Sequence, residues 1–231
     1  MTAIKLTNID KYFGTGLSRV EVLTNVSFTA DLGELSLILG PSGSGKSTLL
    51  TIMGGLQTPD QGEVLIDQQN LTKLSPKQRD QLRLNKIGFV LQSYNLLPYL
   101  NVRDQFKLVD RVKGKGNLPQ AELDHLLTEL GIDRLLNQYP GELSGGQNQR
   151  VAIARALYTD PQIILADEPT AALDSNRVKV VGQLLKQMAQ DHHKAVIVVT
   201  HDLRLREFAD HTYQLMDGHL TREARYFPGN I

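Results

Sequence analysis

The chain has 231 residues, 41% hydrophobic and 22% charged, a composition that suits one packed domain with or without a subdomain and excludes a disordered chain. Its 25 Lys and Arg balance 25 Asp and Glu, which counts against a dedicated nucleic-acid binder with its usual basic surplus. With no cysteine, disulfide scaffolds and thiolate metal sites are excluded.

The N-terminus, MTAIKLTNIDKYF, lacks the basic-then-apolar layout of a signal peptide, and no apolar run approaches bilayer length, so a cytoplasmic location is expected. From Ala3 to about Ile66, short runs such as IKLTNI, EVLTNVSFTA and GEVLID alternate apolar and polar residues and read as strands between turns. LSLILG differs: apart from Ser36 it is an unbroken apolar run, and it ends at a glycine loop, as a strand buried on both faces does. KSTLLTIMGGL then has helical spacing and stops at a glycine pair.

From about Asn95 to Tyr158 the chain reads as mostly helical. QAELDHLLTELGI puts Leu123, Leu126, Leu127 and Leu130 on one face, between Pro119 and Gly131 as start and stop. The tract before it, RVKGKGNLP, is basic and lacks apolar periodicity, so it reads as an exposed loop. After Asp160, QIILADE and KAVIVVTHD read as buried strands with SNRVKVVGQLLKQMAQD as the helix between them. That alternation predicts a parallel sheet with crossover helices, hence an α/β core with antiparallel strands near its start and a helical insert.

GPSGSGKST fits G-x-x-x-x-G-K-[ST] through Gly40, Gly45, Lys46 and Ser47, between a buried strand and a helix. Such a loop, here with Pro41, Ser42, Gly43, Ser44 and Thr48, turns backbone N–H groups inward around phosphates. Lys46 is placed to reach the β- and γ-phosphates, and the Ser47 hydroxyl to ligate Mg²⁺. IILADEP brings Asp167 to a strand end for the Mg²⁺ shell and Glu168 next to it as base for a water. VVTHD sets His201 at another strand end, where it can touch the γ-phosphate. Gln92, after an apolar strand, can touch Mg²⁺ or its water, although a polar residue there is more often plain loop. Tyr12, after the first strand, suits adenine stacking or ordinary surface packing. Ser144, Gly145 and Gly146 open a helix as a second anion site; a simple N-cap explains the serine but not the glycine pair. His125, His192, His193, His211 and His219 lie in polar helical or loop stretches and read as surface residues.

With these motifs in this order, the chain resembles an ATP-binding cassette ATPase, the engine subunit of ABC transporters, along nearly its whole length. The resemblance implies a P-loop NTPase core over about residues 1–92 and 159–231, with an antiparallel β subdomain, and a helical subdomain over about 93–158. It makes Tyr12 the adenine-stacking aromatic, Gly40 to Thr48 the Walker A loop, and Gln92 the Q-loop. IILADE becomes Walker B, AALD the D-loop, and His201 the switch histidine, with Glu168, His201 and Lys46 as the catalytic set. Ser47, Gln92 and Asp167 are the implied metal ligands, and ATP and Mg²⁺ the cofactors. The signature LSGGQ, with Ser144, Gly145, Gly146 and Gln147, closes on ATP held by a second copy, and Asp174 contacts across that head-to-tail dimer. An integral membrane permease is the other implied partner, on the inner face of the cell membrane, and no nucleic acid is expected.

GFVLQSYNLLPYLNV and PGELSGGQNQRVAIARAL are further similar to the group serving lipoprotein release, macrolide or antimicrobial-peptide efflux, and cell division, which implies an exporter or mechanotransmission-type system. Departures are Ala171 in the D-loop, Asn148 past the signature, and the segment YLNVRDQFKLVDRVKGKGN. The rival readings are a non-transport ABC ATPase acting on cytoplasmic or cell-division machinery, and a module that holds ATP without turnover. Balanced charge, with no coiled-coil insert or second cassette, counts against the first; Glu168 and His201 count against the second. The tail REARYFPGNI suggests no function.

Overall fold

In the computed structural model, which describes residues 1–223, strands β1 (Thr2–Phe13) and β2 (Val20–Asp31) precede β3 (Leu35–Leu39) and helix α1 (Lys46–Met53). Strands β4 (Gln61–Ile66) and β5 (Gln69–Asn70), helix α2 (Pro76–Lys86) and strand β6 (Ile87–Val90) follow. Three helices come next: α3 (Val102–Lys113), α4 (Gln120–Glu129) and α5 (Gly145–Tyr158). The chain then returns through β7 (Ile163–Asp167), α6 (Ser175–Gln190), β8 (Ala195–Thr200) and the hairpin β9 (His211–Met216) with β10 (His219–Arg222). The tail from residue 224 onward lies outside the described residues.

The strands form an antiparallel sheet of order β2-β1-β4-β5 and a second sheet of order β10-β9-β3-β8-β7-β6. In the second sheet β9, β3, β8, β7 and β6 run parallel, and β10 is an antiparallel edge. This is the expected mostly parallel α/β core with a separate antiparallel sheet.

Every residue of β3, β7 and β8 is buried. Their side chains alternate between two cores. Leu35, Leu37, Ile164, Ala166, Val196 and Val198 pack with the helices α3 to α6, while Ile38, Ile163, Leu165, Ile197 and Val199 pack with α1 and the antiparallel sheet. A strand covered on both faces carries apolar residues on both, which is why these runs do not alternate; Ser36 within β3 and Asp167 and Thr200 at the ends of β7 and β8 are the buried polar exceptions. Each leucine, isoleucine or valine in these strands contributes about 1.5–3 kcal/mol by leaving water.

Several expectations are corrected. The tract from Arg111 is not all loop: α3 continues through Lys113, whose ammonium donates to the Gly116 carbonyl at 2.9 Å and to the Thr159 carbonyl at the end of α5. Carbonyls left open at the helix ends thus draw in a lysine that composition alone assigns to solvent. Tyr12 lies within β1, not after it. His211 is a half-buried strand residue, its Nε2 3.2 Å from Glu34 and its Nδ1 2.7 Å from the Arg222 guanidinium. His219 is exposed but also sits on a strand.

Candidate functional site

Parallel pairing puts the ends of four strands on one edge. Leu39 is level with Thr200, Asp167 with Val199, and Val90 with Ala166, so the residues following β3, β6, β7 and β8 emerge together. They line a cleft of about 590 Å³, formed by Val22, Pro41, Ser42, Gly43, Gly45, Lys46, Ser47, Thr48, Gln92, Asp167, Glu168 and His201. Ligand clefts of open α/β sheets form at this carboxyl edge.

The glycine loop is built for an anion. Gly45 caps α1 with φ of +96°, and a Cβ there would sit 2.8 Å from the Val22 carbonyl, so both backbone and space demand glycine. No side chain caps α1, which leaves its first-turn N–H groups and the positive end of its dipole facing the cleft. Lys46 is buried, and its Nζ donates to the Gly40 and Pro41 carbonyls at 2.8 Å each. Those acceptors are neutral, so the ammonium charge is available to a phosphate.

Asp167 and Glu168 are buried side by side, yet their surroundings differ. Asp167 Oδ1 has no hydrogen-bond partner. Burial pushes the Asp167 carboxyl above the ordinary carboxylate range; the Ser47 hydroxyl opposes this, neighbouring Glu168 adds to it, and Lys46 opposes it. Glu168 is fully engaged. Thr200 Oγ1 donates to its Oε2 at 2.6 Å, the His201 backbone N–H to its Oε1 at 3.2 Å, and the His201 Nδ1 lies 2.9 Å from Oε1. Glu168 also adopts φ of +49°, a left-handed conformation that is uncommon for a residue with a Cβ.

The structure does not bring every predicted residue to this cleft. Ser144 N-caps α5, accepting from the Gln147 N–H at 3.3 Å, while the Gln147 side chain accepts from the Ser144 N–H at 2.7 Å. Gly146 has a packing reason of its own: a Cβ there would lie 3.1 Å from both the Ala172 carbonyl oxygen and Leu173 Cδ2. Gly145 has only ordinary clearance, and neither it nor Ser144 lines the cleft of its own chain. Asp174 caps α6 through the Arg177 N–H at 3.1 Å and also lies outside the cleft. Tyr12 stands apart too, with the Arg19 guanidinium carbon 3.9 Å from its ring centroid and its hydroxyl 3.2 Å from Glu21.

Residues 23–171 match the family model described as ABC transporter. This chain belongs to the ABC transporter family. It is similar to a Staphylococcus haemolyticus protein named as a hemin import ATP-binding protein, HrtA, with 46% identity covering 94% of this chain and 98% of that one. A Staphylococcus aureus protein of the same name is 44% identical, covering 95% of this chain and 99% of that one. Among solved structures, the dimeric ATP-binding cassette MJ0796 bound to ADP and Pi in a post-hydrolysis state is 40% identical with a TM-score of 0.89, covering 97% of this chain and 99% of that chain. As a family member, the chain is the ATP-binding, ATP-hydrolysing subunit of an ABC transporter.

Sequence reasoning missed residues that hold this cleft in shape. Thr200 closes an otherwise apolar, fully buried strand, and a lone hydroxyl in that setting signals a buried partner, here Glu168. Thr170 is wholly buried and donates to Asp202 at 2.8 Å, fixing the turn after His201. Gln149 faces inward from α5 and is 2% exposed, another polar residue where the pattern calls for an apolar one.

Proposed function

We propose that the cleft binds MgATP and hydrolyses it, with Lys46 and the α1 N-terminus on the phosphates, Glu168 as base and His201 beside the γ-phosphate. The observation that carries this reading is the Glu168 carboxylate, which Thr200 and His201 hold at the mouth of an uncapped glycine-loop helix. Glu168 takes a proton from the attacking water, and Lys46 balances charge on the transferring phosphoryl.

The donor set fits Mg²⁺. An orphaned buried carboxylate oxygen of Asp167 beside the Ser47 hydroxyl, with Gln92 at the rim, supplies hard oxygen ligands and leaves room for phosphate and water. The ion supplies charge neutralisation on the phosphate oxygens. Chelating divalent cations is expected to abolish phosphate release by the purified chain, and adding back Mg²⁺ to restore it. Release that persists undiminished in chelator contradicts the reading.

We also read Tyr12 as the adenine platform on the motif resemblance alone, since it lies outside the cleft lining and the Arg19 guanidinium stands over its ring. Base–aromatic stacking is worth about 1–3 kcal/mol, so Tyr12→Ala is expected to raise the KM for ATP roughly tenfold with kcat little changed. An unchanged KM in steady-state kinetics removes Tyr12 from the site.

The chain then works as a head-to-tail pair in which Ser144 to Gln147 and Asp174 complete the site of the other copy; the dimeric MJ0796 cassette supports this. Residues 93–158 act as a helical subdomain that carries motion to an integral membrane permease. Arg155 of α5 supports this, since it donates to the Asn95 and Tyr94 carbonyls at 2.7 and 2.9 Å and so ties the loop after Gln92 to the signature helix. No described helix is long and apolar enough to cross a membrane, so in this reading the permease supplies the spanning helices and holds the ATPase at the inner face. The HrtA name points to hemin as the cargo class of the relatives, and to import where the motif resemblance points to release and efflux. Cargo and direction belong to the permease in this account, and co-purification with it is the direct test.

A further inference from the structure

The signature helix reaches the backbone of the proposed base of its own chain through one side chain. Gln149 lies one turn into α5 and is buried, yet it is outside the cleft lining. Its Nε2 donates to the Glu168 backbone carbonyl at 2.8 Å, and its Oε1 accepts from the Ala172 N–H at 3.2 Å. A single amide therefore bridges the base and the AALD loop that ends at Asp174.

The bond to Glu168 falls on a strained residue. Glu168 sits at φ of +49°, and its carboxylate must point at Thr200 and His201. Its backbone is held by three contacts: its N–H donates to Val199 at 2.9 Å, and its carbonyl accepts from Ala171 at 3.3 Å and from Gln149. The Gln149 bond is the shorter of the two to that carbonyl, and the only one of the three from outside the sheet and loop. Peptide rotation at Glu168 swings its side chain, and strained conformations persist only where neighbours over-determine them. Close packing adds stiffness, because α5 approaches the Ala172 carbonyl so nearly that a Cβ on Gly146 would stand 3.1 Å from it.

We propose that Gln149 is a positioning residue for hydrolysis: it fixes the Glu168 backbone and the D-loop to the signature helix, so that movement of the helical subdomain changes the aim of the base. This rests on the reading of Glu168 as the base. The plain alternative is a buried glutamine that satisfies two backbone groups and contributes stability alone.

Steady-state phosphate release against ATP concentration separates the two, using Gln149→Met, Gln149→Glu and Glu168→Gln. Methionine keeps the volume and loses both bonds. Ionised glutamate still accepts from Ala172 but offers the Glu168 carbonyl no donor, so this variant is assayed at alkaline pH alongside the parent. The expected result is a kcat lowered at least tenfold in both Gln149 variants, with KM for ATP within about threefold of the parent. A Gln149→Met kcat within twofold of the parent overturns the proposal. So does a loss confined to KM or to melting temperature, and so does a Gln149→Glu variant with parental kcat, which would place the whole effect on Ala172. If Glu168→Gln itself turns over at the parental rate, the assignment of the base falls first and this inference with it. A dead Glu168→Gln beside a normal Gln149→Met overturns this inference alone.

Discussion

Glu168→Gln is expected to lower steady-state ATP turnover about 10³-fold while leaving ATP binding within roughly a factor of two, because general-base removal typically costs 10²–10⁴-fold. The amide is nearly isosteric, and its one oxygen, set in the Oε2 position, can still accept from Thr200 and, at 3.4 Å, from the His201 N–H, so the loop geometry survives. What it cannot do is take a proton from water. The proposed phosphate-binding elements, Lys46 and the uncapped start of α1, are untouched. Loss of kcat with an intact binding constant is the signature of an interaction made only in the transition state. Phosphate release and nucleotide-binding titration check the two halves, and turnover at the parental rate removes Glu168 as base.

Ser144→Arg is expected to abolish hydrolysis, by more than about 10²-fold, with ATP binding to the monomer retained. The magnitude is that of losing a preorganised phosphate-binding group in a closed site. Within one chain Ser144 caps α5 and lies away from the cleft, so only the face offered to a second copy is blocked. Cap loss alone costs about 1 kcal/mol. Ser144→Ala, which loses the cap without adding bulk, should accordingly lower thermal stability modestly and retain part of the turnover. If Ser144→Arg hydrolyses ATP normally, the signature does not complete the site.

How much of this was legible in the sequence depended on where the partner of each residue lies. Lys46, Asp167, Glu168 and His201 could be placed because each ends or follows a buried apolar run, and parallel strands bring such ends to one edge. Helix α2 was not read, since only Leu82 of it is buried and an apolar stripe is absent. A start signal was nevertheless there: Ser75, Pro76 and Gln78 form a capping box with proline in the first turn. The hairpin β9–β10 was likewise signalled by Asp217-Gly218 between alternating Tyr213, Leu215 and Leu220. Lys113, Thr200 and Gln149 were beyond local reading. Their partners Thr159, Glu168 and Ala172 are distant in sequence, and only the fold supplies them. Gly146 shows the opposite limit, because a residue assigned to phosphate also has a packing role against Leu173 that no motif reveals.

In this reading neither chain is a complete enzyme alone. That claim is tested most directly by light scattering on Glu168→Gln in saturating MgATP, with and without Ser144→Arg in the same chain. The account predicts that the 25.7 kDa mass doubles for Glu168→Gln and stays monomeric when Ser144→Arg is added, although ATP is bound in both. A Glu168→Gln chain that remains at monomer mass in saturating MgATP, or a double variant that dimerises equally well, would contradict it.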